Sequence, residues 1–200
     1  EHKYKGKSKM SVEVVRIDNM YLAILIKEEL EKKGIEKDES LGFQQFKKEE
    51  LEQIEDFNII NTTVGKIDEL EKLPTEIRSL IISANVRHFE TPEMIDNLFT
   101  IYKDTPSNDL QDDIAVGLTS TQNTETAKKI LENLKDANII RPQDASRWFV
   151  YLIRTRENRQ IAWNWLKENW AWVDDKFGDD KSYDDFIRYA ATALMTNDEL

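Results

Sequence analysis

The sequence predicts an all-α protein, built of paired antiparallel helices in an irregular α-solenoid of the armadillo/HEAT type. Three observations carry this. Apolar residues recur at helical spacing along most of the chain. Gly and Pro number only six and four in 200 residues and fall where helices should start or stop. A weak repeat also runs through the second half: Thr91-Pro92-Glu93-Met94 leading to Leu98 and Ile101 matches Thr124-Glu125-Thr126-Ala127 leading to Leu131 and Leu134, an offset of 33, and Ala162 with Leu166 follows 35 further on. Periods of that size are those of stacked helix pairs.

Taken in order, residues 11–17 (Ser-Val-Glu-Val-Val-Arg-Ile) alternate and are β-branched, which predicts one short strand. Leu22, Leu25, Ile26 and Leu30 form a helical stripe that ends where Gly34 can act as a C′ residue. Phe43, Phe46, Leu51, Ile54 and Phe57 predict a second helix. Behind Pro74 comes the stripe Ile77, Leu80, Ile81, Ala84 and His88. Thr91-Pro92 is an N-cap followed by N1, and Met94, Ile95, Leu98, Ile101 and Tyr102 follow it. Further stripes are Leu110, Ile114, Gly117 and Leu118, then Ala127, Ile130, Leu131 and Leu134. Trp148, Phe149, Leu152 and Ile153 come next. The series closes with Ile161, Ala162, Trp165, Leu166 and Trp170, and with Phe186, Ile187, Ala190, Ala191 and Leu194. The chain is expected to form one helical-repeat domain over 1–200, with its softest point at residues 34–40.

Composition narrows the function. Twenty-eight Lys and Arg against 39 Asp and Glu leave a net charge of −11, a poor match to nucleic acid or an anionic membrane. The longest apolar run, residues 21–26, is far short of the roughly 20 residues a membrane span needs. The absence of cysteine excludes disulfides, thiolate zinc sites and a cysteine nucleophile, and fits a reducing, cytoplasmic setting. Only His2 and His88 are present, so the His-Glu-x-x-His pattern that puts two imidazoles on one zinc cannot be built. No metal ligand set and no catalytic residue is therefore assigned to this chain. His88, closing an apolar stripe, is expected to be structural.

Other signals resolve without chemistry. Val64-Gly65-Lys66-Ile67 lacks both the earlier Gly and the following Ser or Thr of a phosphate-binding loop. The aspartate-rich stretch 174–185 lacks EF-hand spacing and is expected to be a solvated loop. Among the five tryptophans, Trp165 and Trp170 lie on an apolar stripe and belong to a core. Trp163 and Trp172 lie off it; they either pack against a neighbouring helix or form a candidate interface.

Several segments resemble one family. Ile161-Ala162-Trp163-Asn164-Trp165-Leu166-Lys167-Glu168-Asn169-Trp170 is similar to the Ala-Trp…Asn-Trp segment in the C-terminal helical domain of M1-family zinc aminopeptidases. Leu73-Pro74-Thr75-Glu76-Ile77-Arg78 resembles the entry to that domain's later helices. Leu118-Thr119-Ser120-Thr121-Gln122-Asn123 and Ile140-Arg141-Pro142-Gln143-Asp144 occupy its turns. The closing Arg188-Tyr189-Ala190-Ala191-Thr192-Ala193-Leu194-Met195 is similar to the bacterial aminopeptidase N branch of lactic-acid bacteria. The resemblance covers residues 73–200 well and 1–72 loosely.

The resemblance implies a non-catalytic domain that closes over the active-site chamber of a peptide-trimming enzyme and limits substrate access. Its one zinc ion would lie in a separate catalytic domain of the same polypeptide. Peptides would be the parent's substrates, and the isolated fragment would self-associate through the surface its partner normally covers. Peptide-trimming members can carry a basic residue just before the Thr-x-Asn turn; Ser120 stands there, so that role is not transferred. Arg147, Arg154 and Arg188 are the candidate peptide contacts on the concave face. The rival reading is a free-standing α-solenoid that binds a protein or peptide partner. A natural reading frame carrying His-Glu-x-x-His upstream would decide between the two.

Overall fold

Residues 12–57 and 67–194 are described by a computed structural model of the chain. Contacts divide the chain into two units, residues 1–58 and 59–200, so the division falls beyond the loop at 34–40.

In the first unit Asn19 caps α1 (Met20–Lys32), its Oδ1 accepting from the Leu22 N–H. The helix buries Leu22, Ala23, Ile26 and Leu30 and stops at Gly34, whose φ of +71° is a conformation that only glycine adopts without strain. The expected strand is present as β1 (Val14–Arg16). It pairs antiparallel with β2 (Gln45–Lys47), Val15 opposite Phe46.

This pairing corrects the helix expected from Phe43 to Phe57. What remains helical within it is the short α2 (Lys48–Leu51) and, after a turn, residues 55–57. Phe43, Phe46 and Leu51 are spaced three and five apart, too irregular for one helix face, and Phe46 can be buried just as well by alternation. Strand pairing across sequence then decides: Ile17 N–H donates to Gln44 O, Lys48 N–H to Glu13 O, and Gln44 Nε2 to Ile17 O. Phe46, Leu51, Ile54 and Phe57 are all buried, whereas Phe43 is exposed. Asp38 holds the following loop, accepting from both the backbone and hydroxyl of Ser40 and pairing with Lys47 at 3.0 Å. The Ser40 bonds, and then Lys47, pull its carboxyl down to about 2.

The second unit is a succession of helices. They are α3 (Ile67–Glu71), α4 (Thr75–Phe89), α5 (Pro92–Asp104), α6 (Asn108–Thr119), α7 (Thr124–Asn133) and α8 (Pro142–Arg154). A 3-10 turn, Arg156–Asn158, leads to α9 (Arg159–Glu168), α10 (Trp170–Phe177) and α11 (Tyr183–Ala193). Thr91, Ser107 and Asn123 cap α5, α6 and α7 through their side chains, and Pro92 and Pro142 occupy N1 or N2. One apolar stripe predicted to run on to Trp170 is broken: Asn169 ends α9, its Nδ2 donating to Trp165 O, and α10 starts afresh.

Helices two or three apart are neighbours. α4 packs on α6, α6 on α8 and α8 on α11, while α7 packs on α9; sequential pairs such as α5–α6 and α8–α9 also touch. Five long-range side-chain bonds span 35–37 residues. Arg78–Asp113 and Arg147–Asp112 link residues 35 apart, Ser120–Ser83 and Asn158–Thr121 link residues 37 apart, and Thr155–Thr119 spans 36. Each ties a helix or the turn after it to an element about 35 residues further on.

The α4–α6 contact is tight enough to require glycine. A Cβ at Gly117 would lie 2.1 Å from Ile82 Cγ2 and 2.9 Å from its Cβ. Helix propensity alone favours Gly→Ala by about 1 kcal/mol, but displacing the branch point of a fully buried isoleucine costs roughly 1–3 kcal/mol or more. Gly117→Ala is expected to lower stability in urea unfolding; an unchanged or raised midpoint would show that the two helices separate freely.

Candidate functional site

The three arginines singled out by sequence all lie on α8 and α11, which pack together. Arg147 and Arg154 are two turns apart on α8 and share a face, with Tyr151 between them. Arg147 Nη1 donates to Asp112 Oδ1 at 2.9 Å, and Tyr151 Oη donates to the same oxygen at 3.4 Å. Arg188 pairs with Asp185 at 2.7 Å. Its guanidinium lies 4.9 Å from the centre of the Tyr189 ring, and that of Arg154 lies 5.2 Å from it. Two of the three candidates are thus brought together on one aromatic ring, and the third stands two turns away in its own ion pair. Arg154 makes no ion pair among the described residues. A guanidinium held on a ring keeps its N–H edge free for an anion.

A second group of polar residues, of which sequence singled out only Arg147, lies where α6 and α8 begin. Tyr102, Asn108, Gln111, Asp112, Arg141, Asp144, Arg147 and Trp148 line a cleft there of about 370 Å³. Asp144 is buried; its Oδ2 accepts from Arg141 Nε at 2.7 Å and from Tyr102 Oη at 3.2 Å. Tyr102 Oη in turn accepts from Trp148 Nε1 at 3.3 Å. Gln111 Nε2 donates to the carbonyls of Tyr102 and Thr105, closing the end of α5 onto α6. Burial pushes the Tyr102 phenol up to about 12, so it remains a donor at all ordinary pH. The turn Ile140-Arg141-Pro142-Gln143-Asp144 was the sequence signal for this group, but its partners lie a repeat or more away in sequence and only folding supplies them.

The tryptophans divide differently from their stripes. Trp148 is buried between Phe99, stacked at 5.8 Å, and Tyr102, edge-on at 5.0 Å. Trp165 is buried, but Trp170, expected in the core, is only half-buried and lies 5.3 Å from Tyr183, because the break at Asn169 puts it on a separate helix. The same break folds Trp172 back, edge-on to both Trp165 and Phe177. Trp163 is half-buried under the Lys167 ammonium, 5.3 Å from its ring centre.

His88 is half-buried at the end of α4. Ser120 is buried, its hydroxyl donating to the Gly117 and Ser83 carbonyls. Among the described residues no group of three or more His, Asp or Glu side chains converges as a metal site, and no helix is long and apolar enough to cross a membrane.

Comparison with known proteins adds the family. The model of the ERAP1-like C-terminal domain matches residues 40–200. Aminopeptidase N of Lactobacillus helveticus is 30% identical over 133 residues, and that of Lactococcus lactis subsp. cremoris (strain MG1363) is 29% identical over 134. Each alignment covers 66% of this chain and 16% of the relative. Glutamyl aminopeptidase of Rattus norvegicus is 25% identical over 107 residues, 54% of this chain and 11% of the relative. The chain therefore spans a small fraction of the relatives it matches.

Two outcomes follow from the geometry. Because the folded pKa of Tyr102 lies above its ordinary value of 10.0, the stabilisation from its buried neutral form is complete below that value and is lost as pH rises toward about 12. Tyr151 and Tyr183 are also raised, so an ultraviolet absorbance titration should show late phenol ionisation from which Tyr102→Phe removes one equivalent; loss of an ordinary-pH step instead would contradict the burial of Tyr102. Trp165→Ala should cost roughly 3–5 kcal/mol as a core deletion, Trp172→Ala roughly 1–3 kcal/mol through its two edge contacts, and Trp163→Ser less than about 1 kcal/mol. Equal costs for Trp163 and Trp165 in chemical unfolding would put both in the core.

Proposed function

Because the chain belongs to the ERAP1-like C-terminal domain family, the C-terminal helical domain of M1 aminopeptidases, we propose that it is the non-catalytic wall of a zinc aminopeptidase that removes N-terminal residues from peptides. On this reading its helix pairs form an irregular superhelix that closes over the active-site chamber and limits which peptides enter. The observation that carries it is the family match over residues 40–200. Its support in the structure is the exposed arginine row of α8 and α11, with two guanidiniums on Tyr189.

The residues present do not suit a zinc site, since no ligand group converges among those described. The metal, which would activate water toward the peptide carbonyl, is assigned to the catalytic domain of the same polypeptide, and no step of hydrolysis is assigned to this chain. What its residues would do is bind and orient. Arg147, Arg154 and Arg188 would meet the carboxylates of a peptide in the chamber, Arg154 most readily because it has no carboxylate to exchange. The partner is then the catalytic domain, the setting cytoplasmic, and the isolated chain would self-associate through the surface that domain covers.

The test is kinetic, in the parent enzyme. Arg154→Ala should raise KM for peptides of about ten residues by roughly tenfold, the effect of losing one charge-assisted contact. Turnover of a single aminoacyl reporter, too short to reach the wall, should not change. If removal of the whole domain left both substrates processed as before, the chain would have no part in forming the chamber.

A further inference from the structure

Apolar side chains are unevenly placed on the surface. Of the seven large ones exposed among the described residues, six lie in the first unit: Val12, Val14, Met20, Tyr21, Ile24 and Phe43. Three of these open α1. A surface helix ordinarily carries one apolar stripe, and α1 already buries Leu22, Ala23, Ile26 and Leu30. Met20 and Ile24, four residues apart, start a second stripe on another face, which Lys27 and Glu31 continue at i+7 and i+11. Met20 and Tyr21, at its head, are 53% and 56% exposed.

The C-terminal half of the same stripe forms one wall of a groove. Lys27 and Glu31 line it from α1, and Ile35, Leu41 and Phe43 line it from the segment that follows. Its volume is about 770 Å³. The Lys27 ammonium lies 6.0 Å from the centre of the exposed Phe43 ring, so the ring adjoins the stripe. Lys27 also pairs with Glu31 at 3.6 Å, which leaves the stripe without net charge in a chain of −11. A charged partner finds nothing to read there, and repulsion between two copies is weakest there.

A projecting apolar end and an apolar groove thus share one helix face, with Met20 and Glu31 about 16 Å apart at 1.5 Å per residue. This arrangement is self-complementary. Let two copies of α1 lie antiparallel about a two-fold axis that passes midway between Ile24 and Lys27. Met20 of each copy then stands level with Glu31 of the other, and Ile24 with Lys27. Each projection enters the other groove, the reciprocal contact of a closed dimer, and the helix dipoles oppose one another favourably. We propose that the occupant of this face is a second copy of this chain, joined by antiparallel pairing of the two α1 helices. The inference is independent of the aminopeptidase reading, because α1 precedes the matched residues 40–200.

The test uses the 200-residue chain, whose lack of cysteine makes single-cysteine variants unambiguous. In sedimentation equilibrium the mass should rise with concentration toward that of two chains, with a dissociation constant of roughly micromolar order. Ile24→Lys sets ammonium against ammonium at the axis and should weaken the dimer about tenfold or more. Val14→Lys, comparably exposed but on β1, should leave it unchanged. Under mild oxidation, Met20→Cys mixed with Glu31→Cys should form the mixed disulfide about tenfold faster than either variant links to itself. A disulfide needs Cα atoms within about 7 Å, and like positions are about 16 Å apart along the paired helices. A chain still monomeric at about 0.5 mM would leave the face to a different partner and overturn the proposal. A dimer that Ile24→Lys leaves intact overturns it too, as does like-with-like cross-linking that outpaces the mixed pair.

Discussion

The second unit depends on how closely α4 and α6 approach. At that contact Gly117 leaves room for Ile82, and a few residues away Arg78 Nε meets Asp113 Oδ2 at 2.6 Å with both side chains largely buried. Burial pushes the Asp113 carboxyl up, and the Arg78 guanidinium opposes that shift. A buried ion pair adds little net stability over a well-packed apolar pair, but removing one partner leaves an uncompensated charge and costs about 3–5 kcal/mol. The pair therefore acts mainly as a register pin: α4 and α6 slide past one another only by stranding a charge.

Register set at this contact is passed on. α6 presents Asp112 to Arg147 and Tyr151 of α8, while its C-terminal turn presents the Thr119 and Thr121 carbonyls to Thr155 and Asn158. Glu90, just after α4, accepts from Thr121 and Thr126 and ties the next turn to the start of α7. These bonds join elements about 31–39 residues apart, so each helix is fixed by its neighbours in space. The polar cleft lies where α5, α6 and α8 meet, and the arginine row lies where α8 packs on α11.

The aromatic residues show how far periodicity reaches. Phe149 lies 5.0 Å from Phe186 and 6.1 Å from Trp165, and Phe177 lies 5.2 Å from Phe186. All four are buried, and three of them stand on stripes visible in the sequence. Phe177 does not, nor does Trp172, which joins the cluster only because Asn169 ends one helix and starts another. An asparagine bonding back to the carbonyl four residues earlier is a local event that a running 3.6-residue count passes over.

By itself the sequence determined the helical class, the position of nearly every helix in the second unit, the Thr91-Pro92 and Gly34 boundaries and the repeat. These depend on side-chain spacing and capping, which are local. The resemblance in residues 73–200 reached the family for the same reason, through ordered short segments. Tertiary structure decided what is non-local. The pairing of Val15 with Phe46 made a strand where spacing suggested a helix, because bonds to a segment about thirty residues away outweighed a weak local preference. It also gathered Tyr102, Gln111, Asp144 and Arg147 from three helices into one cleft, and brought Arg154 and Arg188 onto Tyr189. No spacing rule encodes such meetings, since they depend on which helix faces pack and at what height.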